Sequence, residues 1–199
     1  MTAQGDSRDR IVTVPNVLSV LRLFLIAAFV YLLLCTHAYG VAVVVLMVSG
    51  FTDWADGKIA RILDQYSRLG ELLDPAVDRL YMIVVPVTMA IAGIVPWWIV
   101  VVLLVRDALL AAMLPVLRSR GLSALPVTYI GKAATFALMS AFPLILLGQW
   151  DLAGAAWTHW VGACGWAFLI WGLGMYLWSF VLYLVHLRLV ARQLPKVPT

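Results

Sequence analysis

Six long apolar runs alternate with short polar segments along the chain. They cover about residues 17–35, 41–51, 72–92, 96–117, 133–147 and 160–187. Because a helix that crosses a bilayer needs roughly 20 mostly apolar residues, the pattern predicts an all-α integral membrane protein with six transmembrane helices. Residues 1–14 are predicted to form a short cytoplasmic juxtamembrane segment, 15–192 the membrane domain and 193–199 a cytoplasmic tail.

The composition agrees with a membrane protein and excludes a water-soluble domain. Hydrophobic residues make up 64% of the 199 positions and charged residues 12%, whereas soluble domains have about 45–50% and 25%. Six spans leave no room for a separate catalytic domain, so any chemistry must be done on the membrane helices or at their ends. The net charge of +4 does not indicate nucleic-acid binding, because the basic residues lie near the ends of apolar runs.

The distribution of Lys and Arg predicts the orientation in the membrane. If the N-terminus is cytoplasmic and the six helices alternate, the outer turns lie near residues 37–40, 92–96 and 148–159, and these contain no Lys or Arg. The inner segments contain Arg8, Arg10, Lys58, Arg61, Arg68, Arg118, Arg120, Lys132, Arg188, Arg192 and Lys196. Cytoplasmic loops carry such an excess of basic residues. We therefore expect a multi-pass plasma-membrane protein with both termini inside.

The polar stretch after the second run contains an unusual set of acidic and small residues. If the second helix continues through it at 100° per residue, one helix face presents Asp53, Asp56, Gly57 and Ala60. One face of the next helix presents Gly70, Asp74 and Asp78. The short connection makes the two helices antiparallel neighbours. Four carboxylates are thus predicted to converge at the cytoplasmic edge of the bilayer.

Four clustered carboxylates near hydrocarbon require compensating cations or protonation. Carboxylate oxygens with no thiol or imidazole nearby favour a hard ion such as Mg²⁺ or Mn²⁺, and a pair of such ions can clamp an in-line displacement at phosphorus. Arg61, at the edge of this face, could pair with phosphate oxygens. The alternative interpretation is a solvated helix end with surface ion pairs. Asp64, in the predicted turn, and Glu71, on another face, are expected to be dispensable.

The complete spacing resembles the signature of the CDP-alcohol phosphotransferase family. It reads Asp53-x2-Asp56-Gly57-x2-Ala60-Arg61-x8-Gly70-x3-Asp74-x3-Asp78. The resemblance implies transfer of a phosphatidyl or similar group from a CDP-linked donor to an alcohol, with release of CMP. It also implies two divalent ions, Mg²⁺ or Mn²⁺, and a homodimer.

The resemblance assigns a role to each residue of the signature. Asp53, Asp56 and Asp74 would bind the metal ions, and Asp78 would complete the metal site and act as general base. Gly57, Ala60 and Gly70 would line the cytidine pocket, with Arg61 beside the nucleotide. The reasoning from carboxylates and small residues supports the metal ions but does not identify cytidine.

Three further elements outside the signature resemble the same family. Asn16 and Arg22 would face the donor site, although a helix cap and an interfacial anchor are equally good interpretations. Arg106 and Asp107 lie inside an apolar run, where ionisable residues are costly and usually functional; they would bind the acceptor, and a structural ion pair is the alternative. Lys132, after Gly131, would help to hold the acceptor's phosphate, unless it is an ordinary cytoplasmic anchor.

Among members of the family, the chain is most similar to actinobacterial CMP-forming cardiolipin synthases, which join CDP-diacylglycerol to phosphatidylglycerol. Asp107 favours this branch, because phosphatidylglycerophosphate synthases usually have Glu after the arginine. Since the two acids differ by one methylene, glycerol 3-phosphate remains the alternative acceptor. A different class, an ion-coupled transporter, would also place carboxylates in a membrane, but it usually shows a repeated fold with discontinuous helices, and the sequence shows neither.

Overall fold

The computed structural model describes residues 14–63, 68–118, 129–150 and 157–193. These residues form six α-helices, so the all-helical prediction is confirmed. The helices are α1 (Val14–Leu34), α2 (Tyr39–Leu63), α3 (Arg68–Ile91), α4 (Trp97–Arg118), α5 (Tyr129–Gln149) and α6 (Trp157–Gln193). Of the predicted cytoplasmic segments 1–14 and 193–199, residues 1–13 and 194–199 lie outside the described residues, and Val14 and Gln193 are the terminal residues of α1 and α6.

Three helices extend beyond the limits that the apolar runs predicted. α3 begins four residues earlier, at Arg68, and α5 begins at Tyr129, so Gly131 and Lys132 lie inside a helix instead of in the preceding connection. α6 extends at both ends, from Trp157 to Gln193. Hydropathy alone underestimated these lengths because a helix continues for as long as its backbone hydrogen bonds do, whether or not its side chains are apolar.

The α3–α4 turn shows how the chain ends one helix and begins another. Gly93 has a positive φ of 74°, and the amide of Ile94 donates to the carbonyl of Met89 at 2.9 Å. This is the 6→1 bond of a Schellman motif, which satisfies a free carbonyl at a helix end. Glycine is favoured because it has no Cβ to clash at positive φ.

The helices of this chain have the apolar character of a membrane protein. Within the described residues, three segments are long and apolar enough to cross a bilayer: Asn16–Leu34, Tyr129–Gln149 and Trp157–Leu189. The apolar part of α2 is shorter, Tyr39–Asp53, because the charged stretch follows it within the same helix. Large apolar side chains such as Phe24 and Trp171 are about 70% exposed, as expected for surfaces that face lipid.

The chain divides into two compact units. The first comprises Met1–Val95 and Gln149–Thr158, and in it α1 packs against both α2 and α3. α1 buries polar side chains and exposes apolar ones: Asn16, Ser19 and Arg22 are at most 4% exposed, while Phe24 is 69% exposed. This reversed amphipathic pattern places the polar stripe of α1 toward the two helices that carry the acidic signature.

The second unit comprises Pro96–Gly148 and His159–Thr199. In it, α5 and α6 approach so closely that a Cβ on Gly165 would lie 2.6 Å from the backbone nitrogen of Ile145. Seven residues further along α6, Gly172 lies against Leu138, which is seven residues earlier in α5. The two helices are therefore antiparallel and in close contact, and glycine makes that contact possible.

Candidate active site

The acidic signature lies on two helices, as the spacing predicted. α2 continues without a break through Asp53 and Asp56 to Leu63, and α3 contains Asp74 and Asp78. The side chains of Asp53 and Asp78 are described; those of Asp56 and Asp74 lie outside the described part of the structure. The helical condition on which the predicted carboxylate faces depend is therefore met.

A single arginine of α1 joins the carboxylates of the two helices. The Nη1 atom of Arg22 lies 2.7 Å from Oδ1 of Asp53 and 2.6 Å from Oδ1 of Asp78. The two carboxylate oxygens are therefore no further apart than the sum of these distances. α2 and α3 thus present acids to one place, and α1 supplies the cation between them.

Exposure increases from the arginine to the acids. Arg22 is only 1% exposed, whereas the side chains of Asp53 and Asp78 are 31% and 50% exposed. A fully buried guanidinium requires partners, because an unpaired buried charge is costly. Arg22 therefore forms the floor of the site, and the two acids form its accessible side. This burial excludes the interpretation of Arg22 as an interfacial anchor.

The described side chains fit a divalent metal site. Two partly exposed carboxylates lie close enough together to bind the same cation, and two metal ions in such sites are roughly 3.5–4 Å apart. Oxygen donors are the ligands that Mg²⁺ and Mn²⁺ prefer. Arg22 shows that the acids already attract a cation. Within the described residues, no group of three or more Asp, Glu, His or Cys side chains is placed to hold a metal ion. Two of the four predicted ligands, Asp56 and Asp74, have side chains outside that set.

The other residues predicted around the donor fall on the same elements. Gly57, Ala60 and Arg61 lie in α2 and Gly70 lies in α3; their side-chain surroundings are outside the described set. Asn16 is 4% exposed and lies within the first turn of α1, which begins at Val14. A residue inside the helix does not precede it as an N-cap does, so the cap interpretation is not supported.

The second unit contains a separate polar cluster, centred on Arg106 and Asp107 of α4. Nη1 of Arg106 lies 3.0 Å from Oδ1 of Asp107, and Nη2 donates to Oγ of Ser179 at 2.9 Å. The guanidinium carbon also lies 3.8 Å from the ring centroid of Tyr176, a cation–π contact. The hydroxyl of Tyr176 donates to Asp107. The predicted ion pair therefore exists and is fixed by two residues of α6.

The two charged side chains of this cluster, Arg106 and Asp107, differ in their exposure. The side chain of Arg106 is 10% exposed and that of Asp107 is 42% exposed. Among the residues that the structure describes, none accepts a hydrogen bond from Nε of Arg106. Buried polar atoms are usually paired. The Nε–H of Arg106 is therefore a hydrogen-bond donor that a ligand could use, next to the accessible carboxylate of Asp107. An acceptor-binding role and a structural ion pair are both compatible with this geometry.

Lys132 lies in α5 at the height of this cluster. Gly165 of α6 lies opposite Ile145 of α5, and Gly172 lies opposite Leu138. Because both helices rise equally per residue, a step of one residue forward along α6 matches a step of one residue backward along α5. Lys132 is thus level with Trp178, between Tyr176 and Ser179. It is exposed, with Nζ 5.9 Å from the ring centroid of Tyr129. The three residues predicted to bind the acceptor share one level of the second unit.

Three residues beside these sites were not predicted. Tyr176 and Ser179 hold Arg106 and Asp107 although about 70 residues separate them in sequence. Tyr81 is 1% exposed and lies near enough to Asp53 and Arg22 for their charges to act on its hydroxyl group. Tyr81 could have been identified from its spacing, because a residue three positions after Asp78 shares its helix face. No comparable signal links α6 to α4.

Replacement of Arg22 by Met should make the metal-free protein less stable and more dependent on Mn²⁺. Both carboxylates lose their cation, and charge-assisted contacts to partly exposed acids contribute about 1–2 kcal/mol after solvent screening. The expected loss in melting temperature is about 2–8 °C. Because a divalent ion replaces the missing charge, Mn²⁺ should stabilise the variant more than the wild type. Thermal unfolding with EDTA and with Mn²⁺ measures both effects.

The matched control is Arg22→Lys, which keeps the charge and should keep most of the metal-free stability. If Mn²⁺ raised the melting temperature of wild type and Arg22→Met equally, Asp53 and Asp78 would not be the acids that bind it.

Comparison with known proteins gives one family and several full-length relatives. The family model for CDP-alcohol phosphatidyltransferase matches residues 12–171. A Mycobacterium tuberculosis protein named "Putative cardiolipin synthase" is 63% identical over 191 residues, which cover 96% of this chain and 90% of the relative. The cardiolipin synthase (CMP-forming) of Streptomyces coelicolor is 44% identical over 190 residues, with coverages of 92% and 86%. The CDP-diacylglycerol–glycerol-3-phosphate 3-phosphatidyltransferase of Salmonella typhimurium is 27% identical over 183 residues, with coverages of 88% and 94%.

Proposed function

We propose a substrate pair for this chain, which belongs to the CDP-alcohol phosphatidyltransferase family and is a CMP-forming phosphatidyltransferase. The donor is CDP-diacylglycerol and the acceptor is phosphatidylglycerol, so the products are cardiolipin and CMP. The main support for this reaction centre is that Asp53 and Asp78 both form ion pairs with Arg22. This arrangement brings together acids from both halves of the signature.

The choice of acceptor depends on the relatives and on Asp107. The relatives at 63% and 44% identity are named as cardiolipin synthases, whereas the one named for glycerol 3-phosphate is 27% identical. Asp107 agrees with the former group. Glycerol 3-phosphate is the second candidate, because the same signature serves both reactions. A transporter is not retained, since the whole signature is explained by a transferase.

The metal ions would be held by Asp53, Asp56, Asp74 and Asp78. When bound, they would neutralise the diphosphate of the donor and the charge on departing CMP. Asp78 would accept the proton of the acceptor's primary hydroxyl, because its side chain is half exposed while its Oδ1 is fixed by Arg22. The hydroxyl oxygen would then attack the phosphorus that carries diacylglycerol, and the bond from that phosphorus to the bridging oxygen of CMP would break, so that CMP leaves with that oxygen. Arg22, which Asp53 also contacts, would keep Asp78 in position during this step.

The residues around the donor would recognise its nucleotide. Gly57, Ala60 and Gly70 leave space for cytidine close to the backbone, and Arg61 would pair with phosphate oxygens. Asn16 lies on the same buried stripe of α1 as Arg22 and would contribute an amide to this side of the site. Acceptor recognition would fall to Arg106, Asp107 and Lys132.

All six helices would cross the plasma membrane, with both termini and the carboxylates on the cytoplasmic side. The distribution of Lys and Arg supports this orientation, and so does the antiparallel packing of α5 and α6, which alternating crossings require. CDP-diacylglycerol could then reach the acids from the inner leaflet.

Purified protein with CDP-diacylglycerol and Mn²⁺ should release CMP and form cardiolipin when phosphatidylglycerol is supplied. Its kcat/KM should be at least about tenfold higher than with glycerol 3-phosphate, the discrimination that one specific pocket contact provides. CMP and the lipid product are measured together. A higher kcat/KM with glycerol 3-phosphate would replace the acceptor, and CMP release that depends on no acceptor would contradict transfer altogether.

A further inference from the structure

An apolar groove runs between α4 and α6 in the second unit. Its walls are valine and leucine side chains of α4, together with Leu177 and Phe180 of α6, and Arg106 is its one ionisable lining residue. Several of these apolar side chains are exposed, among them Val101 (53%) and Val105 (50%). The groove has a volume of about 220 Å³, below the roughly 300–1,000 Å³ of pockets that enclose whole small molecules. It therefore fits part of a ligand.

The groove is continuous with the polar cluster that holds Arg106. Arg106 lines the groove with its side chain and is 9% exposed, while its guanidinium contacts Asp107, Tyr176 and Ser179. Within the described residues, its Nε has no hydrogen-bond partner. A molecule that occupied the groove would therefore have its apolar part along α4 and α6 and its polar part at this cluster.

The charges at this level suit a phosphodiester. Arg106 and Lys132 are cations and Asp107 is an anion, so the three carry one net positive charge. A phosphodiester lipid such as phosphatidylglycerol carries one negative charge. The monoester of glycerol 3-phosphate carries about −1.5 to −2 and has no chain to fill an apolar groove. Exposed Asp107 can accept hydrogen bonds from glycerol hydroxyls.

We propose that the groove between α4 and α6 holds an acyl chain of the lipid acceptor, whose phosphodiester headgroup lies at Arg106, Asp107 and Lys132. This inference rests on the proposed function. It explains how one family signature can serve acceptors of different kinds: the acids on α2 and α3 carry out the transfer, and α4 and α6 select an acceptor with a hydrocarbon chain.

The test uses tryptophan substitutions that fill the groove. The KM for each lipid substrate is measured separately in mixed micelles. Val105→Trp and Val101→Trp both place an indole in the groove. The matched control is Val181→Trp on α6, the opposite wall's helix: Val181 is 45% exposed, as accessible as the two α4 valines, but it does not line the groove. One methylene in an apolar pocket changes discrimination roughly 10–200-fold. We therefore expect the filled variants to raise the KM for dioleoyl phosphatidylglycerol at least about tenfold, with the KM for CDP-diacylglycerol unchanged.

A chain-length series provides the second measurement. Wild type should prefer dioleoyl over dihexanoyl phosphatidylglycerol, and this preference should shrink in the filled variants while Val181→Trp keeps it. The inference would be wrong if the filled variants had the same KM values as Val181→Trp for both phosphatidylglycerols. It would also be wrong if their KM values rose equally for CDP-diacylglycerol and for the acceptor. Neither result would contradict the transferase reaction itself. If wild type failed to use phosphatidylglycerol at all, the proposed function itself would fail.

Discussion

Replacement of Asp78 by Asn is expected to lower CMP release from CDP-diacylglycerol by at least about 100-fold. A carboxamide cannot accept the proton of the attacking hydroxyl, and general base catalysis contributes about 10²–10⁴-fold. The substitution also removes a negative charge from the proposed metal site. The fold should survive, because the amide oxygen can still accept the hydrogen bond that Arg22 donates to Oδ1 at 2.6 Å. CMP release by detergent-purified protein, with size-exclusion elution as a check of folding, measures the effect.

Asp64→Asn is the matched control for this loss. The sequence predicts that Asp64 lies in the connection between α2 and α3, outside the faces that carry the signature, so its variant should retain near-normal turnover. An Asp78→Asn protein with a kcat within about threefold of wild type would remove Asp78 from the role of general base.

Removal of divalent ions should reduce CMP release to background. Without them, the negative diphosphate of the donor would lie against the carboxylates of Asp53 and Asp78, and like charges at this distance repel. Leaving-group neutralisation would be lost as well. Dialysis against EDTA followed by assay with added Mn²⁺ or Mg²⁺ measures the dependence, and both ions should restore activity because both prefer oxygen ligands.

Controls for metal removal use the same protein without turnover. The EDTA-treated protein should keep its helical circular dichroism, because six helices are formed by the chain itself and not by the ion. Full activity in EDTA, at a measured metal content well below one ion per chain, would contradict a metal-assisted reaction.

The carboxylate arrangement could be predicted because it depends on local geometry. Helical periodicity puts Asp53 and Asp56 on one face and Asp74 and Asp78 on another, and a short connection makes the two helices neighbours. The structure meets the helical condition and brings Asp53 and Asp78 together. The ends of helices could be predicted less well, since the start of α5 depends on backbone hydrogen bonds and not on hydropathy.

The partners of the buried arginines could not be derived from sequence spacing. Arg22 reaches acids 31 and 56 residues away, and Arg106 reaches Ser179 across 73 residues. Such pairings depend on how helices pack, which periodicity does not specify. One signal was present for Arg22: Asn16, Ser19 and Arg22 recur at a spacing of three on α1, so one polar stripe on an apolar helix indicated that this face would be buried.

The count of Mn²⁺ bound per chain, measured by electron paramagnetic resonance on purified protein, tests most directly whether α2 and α3 share a metal site. We predict two ions per wild-type chain, fewer in Asp53→Asn and in Asp78→Asn, and two in Asp64→Asn. A wild-type protein that bound no Mn²⁺ at millimolar concentration, or Asp53 and Asp78 variants that bound as much as wild type, would contradict the account.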